Sequence, residues 1–312
     1  MKYHPCFPTI LDLNDTQKTL LHSKRNPLHV LRAQWEAKVD KALHYFQRYN
    51  LSGAVVGVSG GIDSALALAF LKAMHERSPG TLRKIAPLLL PIYEDDAATG
   101  QRQATDRAAA LCERWGLTPR IVDLTASHRA LSTALQASDG VQSPWTRGQL
   151  VAYLRTPALY NATSMLIEAG YPALVVGTTN YDEGSYIGYF GKTSDGLVDM
   201  QVLSDWHKHE VYVLAEWLGV TNDILTVTPT GDMFDGRVDE QVFGFTYDAL
   251  EYDLRSRLLQ SMPVDSAIRA RVEALHQYNA HKYMTASPAI HMDVNPRQLQ
   301  HGWKTTVWYP EG

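Results

Sequence analysis

An α/β fold, a doubly wound parallel sheet with helices on both faces, is what this sequence predicts, and three observations carry the prediction. Short apolar runs rich in β-branched residues recur at 54–58, 86–93, 120–124 and 173–177. Stretches with helical periodicity separate them. The runs are continuously apolar rather than alternating, which is the mark of strands covered on both faces.

Each element follows in order. Residues 1–28, with Pro5, Pro8 and Pro27, read as an irregular, extended arm. Leu31, Trp35, Val39, Leu43 and Phe46 recur at three- and four-residue steps and predict an amphipathic helix over 29–49. The first strand ends in Ser59-Gly60-Gly61, and a helix runs from Asp63 to about Met74. The second strand, 86–93, keeps its apolar character despite its prolines, and the helix after it, 101–115, closes at Gly116. A helix follows the third strand, and 137–146 reads as a loop. A long helix over 147–169 should bend at Pro157, because proline lacks the N–H that a helix interior needs. After the fourth strand comes a helix over 208–218, closed by Gly219. The acidic, turn-rich stretch 226–244 reads as a mobile lid, followed by helices at 247–259 and 265–283. One domain, 29–290, is expected, with the arm before it and a proline-containing tail at 291–312.

Composition excludes several function classes. The chain has 312 residues, and its 29 Lys+Arg against 33 Asp+Glu leave a formal charge of −4, a poor match for a nucleic-acid or anionic-membrane binder. Its two cysteines, Cys6 and Cys112, suggest neither a disulfide framework nor a Cys-rich zinc site. His207 and His209 flank Lys208 at a spacing that does not share a helix face, so no metal is assigned to them. No apolar stretch approaches the ~18 residues of a membrane span, and the expectation is a cytoplasmic protein.

The most informative stretch is Gly57-Val58-Ser59-Gly60-Gly61-Ile62-Asp63-Ser64. Glycines between a strand and a helix let the backbone approach a ligand, and the helix start aims unpaired N–H groups at an anion. Ser59 and Ser64 can add hydroxyl donors. Asp63 suits such a cradle only if a cation such as Mg²⁺ bridges it to the phosphates. The loop lacks the lysine of a Walker A motif. Two other readings stand beside this one. The stretch could be a plain strand-to-helix turn with Asp63 and Ser64 as capping residues. Gly57-x-Ser59-x-Gly61 also fits the nucleophile elbow of a hydrolase, although no oxyanion segment precedes it.

The loop resembles the SGGxDS signature of the ATP pyrophosphatases, which split ATP between its α- and β-phosphates. Further motifs resemble those of ammonia-dependent NAD synthetases. Val175-Val176-Gly177-Thr178-Thr179-Asn180-Tyr181-Asp182-Glu183 is followed by Gly188-Tyr189-Phe190-Gly191-Lys192-Thr193-Ser194-Asp195-Gly196, then Asp199 and Lys208. Pro229-Thr230-Gly231-Asp232, Asp239-Glu240, Gly244-Phe245-Thr246-Tyr247 and His281-Lys282 match later segments. The likeness spans about residues 30–285.

That resemblance implies an adenine nucleotide alpha-hydrolase-like fold and a ligase that amidates deamido-NAD with ammonia through an acyl-adenylate, in a homodimer. By the same resemblance, Asp63 and Glu183 hold Mg²⁺, while Thr178, Lys208 and Thr230 join the loop in binding ATP. Lys192, Asp199, His281 and Lys282 recognise the acid substrate, with Asp63, Lys192 and Lys208 central to catalysis. The dimer contact could come from the apolar face of 29–49, with Trp35 and Phe46, or from the long helix 147–169, although core packing accounts for both equally well.

Two departures matter. The family's G-N-x-K-A-R-x-R stretch reads Gly148-Gln149-Leu150-Val151-Ala152-Tyr153-Leu154-Arg155, so Tyr153 stands where an arginine meets the acid, and only Arg155 keeps its charge. One extra residue lies between Glu183 and Gly188, leaving Asp182 as an alternative metal ligand. A relative that amidates another carboxylic acid, or a non-catalytic nucleotide-binding protein, are the rival functions. About 50 residues precede the loop, and the expected nitrogen donor is free ammonia, or ammonia from a separate subunit, rather than glutamine hydrolysed by an attached domain.

Overall fold

The computed structural model describes residues 7, 9–94, 100–140, 143–231, 236–283, 289–295, 306–307 and 309–310. In chain order the elements are α1 (Asp15–Lys24), α2 (Leu28–Arg48), β1 (Gly53–Gly57), α3 (Ile62–Arg77), β2 (Lys84–Leu89), α4 (Gln101–Arg114) and β3 (Arg120–Ile121). Next come α5 (Thr125–Asp139), α6 (Pro144–Glu168), β4 (Ala173–Gly177), a π-helix (Tyr181–Ile187), β5 (Met200–Gln201), α7 (Lys208–Trp217) and α8 (Asn222–Leu225). The chain continues through α9 (Asp239–Phe243), α10 (Tyr247–Leu258), α11 (Ser266–Tyr278), α12 (Ala280–Tyr283), β6 (Ile290–His291) and β7 (Thr306–Val307).

All the described strands pair in parallel, in the order β3-β2-β1-β4-β5-β6-β7. This is the doubly wound sheet that the continuous apolar runs predict. Side-chain alternation along β1 feeds two layers. Ala54 and Val56 pack with Trp35, Phe46, Leu66, Phe70 and Leu214 from α2, α3 and α7. Val55 turns the other way, to Leu88 and to Ala162 of α6. Each fully buried valine, leucine or phenylalanine among them stabilises the fold by about 1.5–3 kcal/mol. Among the described residues no helix is long and apolar enough to cross a membrane.

Several expectations need correcting. The arm is not irregular throughout, because 15–24 is helical. Asn14 accepts the Gln17 N–H at 2.9 Å while the Gln17 side chain accepts the Asn14 N–H at 2.9 Å, a reciprocal cap that starts α1. Leu21 of α1 then joins a second, smaller core built on Tyr181, Tyr186, Phe243, Phe245 and Tyr252. Beyond the predicted strands, β6 at the start of the tail and β7 within it extend the sheet. Most of the 137–146 loop is helix, α5 reaching Asp139 and α6 starting at Pro144 with Ser143 as its cap. Trp35 and Phe46 are fully buried against the sheet layer, so that face of α2 is core and offers no dimer contact. Residues 232–235 of the turn-rich segment and Cys6 lie outside the described residues. Cys112 sits in the core, where burial pushes its thiol up to about 12.

The extra residue between Glu183 and Gly188 is absorbed as the π-helix, whose wider turn takes one more residue than an α-turn. The Gly188 and Tyr189 N–H groups both return to the Glu183 carbonyl, the latter at 2.8 Å. Glu183 is the third residue of this π-helix, and its side chain reaches Lys208 Nζ at 2.7 Å.

Candidate functional site

The order of the strands places the loop after β1 where neighbouring connections diverge, β2 on one side and β4 on the other. In open parallel sheets ligands enter at that switch point, beyond the carboxyl ends of the strands. A cavity of about 590 Å³ opens there, lined by the whole stretch from Gly57 to Ser64 together with Thr178, Glu183, Lys208, Thr230 and Lys282.

The loop is built by local rules. Gly60 has φ +83°, and a Cβ on it would stand 2.2 Å from the Ala104 carbonyl oxygen, so a side chain is excluded by both conformation and space. Gly61 precedes the first turn of α3 with no side-chain cap, which leaves the helix start open toward the cavity. The Ser59 N–H donates to Ser64 Oγ at 3.1 Å, and Ser64 Oγ donates to the Gly61 carbonyl at 3.0 Å, closing the loop on itself. Ser59 Oγ meets Ser64 Oγ at 3.1 Å and the Gly61 N–H at 3.3 Å. A nucleophile elbow needs a histidine at that oxygen, and among the described residues none bonds it, so this geometry does not support the hydrolase reading.

Opposite the loop, charges from separate segments interlock. Lys208 Nζ donates to Asp63 Oδ2 at 2.6 Å and to Glu183 Oε1 at 2.7 Å. Asn180 donates to Asp63 Oδ1 at 2.8 Å and accepts the Glu183 N–H at 3.0 Å, positioning both carboxylates. Tyr247 OH donates to Glu183 at 2.7 Å and reaches Asp239 at 3.1 Å, and Tyr189 OH bonds the other Asp239 oxygen at 3.1 Å. Burial opposes the Lys208 charge, but Asp63 and Glu183 outweigh it and hold the ammonium well above its ordinary pKa. Burial first, then the Glu183 charge, lifts Asp239 to about 7. Burial raises Asp63, whereas for Glu183 its effect is outweighed by Lys208, which holds that group ionised.

Asp182 does something else. Its Oδ1 bonds His207 Nδ1 at 2.7 Å and its Oδ2 accepts the Lys208 N–H at 2.7 Å, so it caps α7 and sets the start of the helix that carries Lys208. Glu183, not Asp182, is the carboxylate that meets Asp63. The two carboxylates converge on the lysine ammonium, and they are the pair of hard oxygen donors that could hold a divalent ion beside it. Among the described residues no group of three or more acidic, histidine or cysteine side chains forms a protein-only metal site.

The expected acid-binding residues are less closely gathered. Lys282 lies in the cavity wall and donates to the Gly188 and Phe190 carbonyls at 2.7 and 2.6 Å. Burial, with Lys192 nearby, brings it down to about 8. Lys192 and His281 are exposed and outside the wall. The Asp199 carboxylate is occupied by the Val175 N–H at 2.7 Å and Tyr160 OH at 3.2 Å, holding the edge of β4 rather than facing the cavity. On α6, Val151 is buried against Ile92, which explains an apolar residue there. Tyr153 is 38% exposed, with its OH on Gln149 at 3.2 Å and its ring beside Gly191. Arg155, two residues on, faces the cavity and donates to the Leu90 carbonyl at 3.2 Å and to Gln101 at 3.1 Å.

Sequence reasoning missed Asn180, Asp239, Tyr247 and Thr179 as members of this site. An Asn three residues before Glu183 is a capping signal that was legible. Thr179 is buried in the wall and its hydroxyl lacks a partner among the described residues, which suits a donor to a bound molecule.

The profile of the NAD synthase family matches residues 34–286. The chain is 36% identical over 209 residues to the NH(3)-dependent NAD(+) synthetase of Syntrophomonas wolfei, covering 65% of this chain and 76% of that one. It is 33% identical over 242 residues to the enzyme of the same name from Mycoplasmopsis pulmonis, covering 77% and 84%. Among solved structures, the NMN synthetase of Francisella tularensis superposes with a TM-score of 0.68 at 26% identity, covering 81% of this chain and 95% of that one.

Proposed function

We propose, from the premise that this chain belongs to the NAD synthase family, that it is an ATP-dependent ligase joining ammonia to the carboxylate of deamido-NAD. The observation that carries the reading is the meeting of Asp63 and Glu183 across Lys208 at the mouth of a glycine loop that can seat phosphates.

A carboxylate oxygen of the acid attacks the α-phosphorus of ATP, the bond to the bridging oxygen breaks, and pyrophosphate leaves with that electron pair. The lone pair of ammonia then attacks the carbonyl carbon of the acyl-adenylate. Collapse expels AMP with its oxygen and, after loss of a proton, leaves the amide. The protein positions the reactants and offsets charge on the phosphates. The amides of the loop and of the α3 start hold the phosphates, with the Ser59 hydroxyl beside them. Lys208 supplies positive charge next to Asp63 and Glu183. Thr178 and Thr230 line the nucleotide side of the cavity, and Arg155 and Lys282 line it as further cations. Mg²⁺ bound by Asp63 and Glu183 would neutralise phosphate oxygens and strengthen the leaving group. The relatives' names support free ammonia as nitrogen donor. A homodimer and a cytoplasmic location complete the reading, with the outward face of α6, where Met165 and Ile167 are exposed, as the remaining candidate contact.

A second reading keeps this chemistry and changes the acid. Tyr153 stands where the family's arginine meets the acid, and it is not among the residues that line the cavity. The likeness to an enzyme named for making a mononucleotide amide supports a smaller acid. Pyrophosphate release, measured with ATP, magnesium and ammonium plus either deamido-NAD or the corresponding mononucleotide acid, tests both. Release with deamido-NAD is the expected result. Release only with the mononucleotide selects the second reading, and none with either acid leaves a nucleotide-binding protein. Turnover with glutamine equal to that with ammonium would overturn the nitrogen assignment.

A further inference from the structure

The glycine loop has no Walker-type lysine, and the cations around the cavity are mostly engaged. Lys208 is bound by two carboxylates, Lys282 by two carbonyls, and Arg155 by Leu90 and Gln101. Arg107 is different. It lines the same cavity, is half-buried, and its one hydrogen bond among the described residues runs from Nε to the Gly60 carbonyl at 3.5 Å, the outer limit for such a bond. No carboxylate pairs with it among the described residues.

Its placement follows from the close approach of α4 to the loop. The Ala104 carbonyl lies where a Gly60 Cβ would be, so the backbone of α4 abuts the loop itself. Arg107 is three residues further along α4, on the same helix face, and so projects beside Gly60. An anion seated on the loop is then flanked by the start of α3 on one side and a guanidinium on the other. The planar fork of arginine matches two phosphate oxygens at once.

We propose that Arg107 is a phosphate-binding residue of this site, gripping from α4 the part of the triphosphate that departs as pyrophosphate. It supplies the side-chain cation that the loop's own sequence omits. This inference rests on the ATP-dependent reading above and adds to it a residue outside every motif that the resemblance quoted.

The test is calorimetric titration of the full chain and its R107Q and R107K variants with ATP, AMP and inorganic pyrophosphate, each with magnesium. With R107Q, binding of ATP and pyrophosphate should weaken ~10- to 100-fold, the range for losing hydrogen bonds to a charged group, while AMP affinity stays the same. R107K, which keeps the charge and loses the fork, should fall between. Equal weakening for AMP and ATP would mean that Arg107 merely supports the loop, and unchanged pyrophosphate binding would also overturn the proposal. A wild-type chain that does not bind ATP would instead remove the functional reading. Normal wild-type turnover with R107Q indistinguishable from it would remove this inference alone.

Discussion

The two halves of the cavity are held in different ways. On the nucleotide side, Asp63, Asn180, Glu183, Lys208, Asp239 and Tyr247 form one continuous hydrogen-bonded net drawn from separate segments of the chain. On the acid side, Tyr153 bonds Gln149 one turn away, Lys192 and His281 are exposed, and Asp199 is committed to β4. The difference is physical. Carboxylates brought close together in a partly dry site repel unless a cation and donors fix them, so each member constrains the others. A half-exposed tyrosine on a helix has no such obligation. It can replace an arginine without disturbing the fold, and there the chain departs from its family.

The comparison can be broken most decisively at Lys208. K208M leaves Asp63 and Glu183 facing each other without their cation. Pyrophosphate release should fall by ~10³-fold or more, and stability by ~3–5 kcal/mol as read by denaturant unfolding. Retention of normal unfolding and turnover would show that the net is not coupled as described. Next is Gly60. G60A forces a Cβ against the Ala104 carbonyl at a φ of +83° and should cost ~1–3 kcal/mol, with ATP binding weakened in calorimetry. Wild-type affinity in G60A would mean that the loop tolerates a different path.

On the acid side the effects should be smaller and specific to one substrate. Lys282 loses its proton at about 8 instead of near 10.5, so its positive charge is present below about pH 8 and lost above it. The KM for the dinucleotide acid should rise as pH passes about 8, with the KM for ATP unaffected, and K282R should flatten that rise. The stability effect has its own sign. Between about 8 and 10.5 the unfolded chain still binds the proton that the folded one has released, so this group makes the fold more stable as pH rises through that window. A pH profile unchanged by K282R would assign the titration elsewhere. The smallest effect belongs to Tyr153. Y153F and Y153R should leave unfolding within ~0.5 kcal/mol and ATP binding intact. A lower KM for deamido-NAD in Y153R would sharpen the contrast by showing that the missing charge limits the acid half. An equal change in ATP affinity would erase the boundary between the halves.

Much of this was legible before any coordinates. Three of the four longer apolar runs lie on the interior strands β1, β2 and β4, because parallel strands covered on both faces leave a continuous signal, while the fourth falls on the exposed two-residue edge strand β3. β5, β6 and β7 were not legible. Two residues each carry no periodicity, and their pairing depends on edges supplied by distant parts of the chain. Within the site, the loop and Lys208 stand out by motif, and the choice between Asp182 and Glu183 does not. Adjacent carboxylates on a helix point to different sides, and only the π-helix winding and the α7 start decide which of them meets Asp63.

The sequence by itself determined the layered α/β architecture, the family and the phosphate loop, because each is written in local spacing of apolar residues, glycines and hydroxyls. The tertiary structure alone decided that Lys208 stands between Asp63 and Glu183, that Asp199 serves the sheet, and that Arg155 lines the cavity while Tyr153 does not. Which side chains share a charge depends on contacts between segments far apart in the chain, and spacing along the chain does not encode the direction in which a side chain leaves its helix.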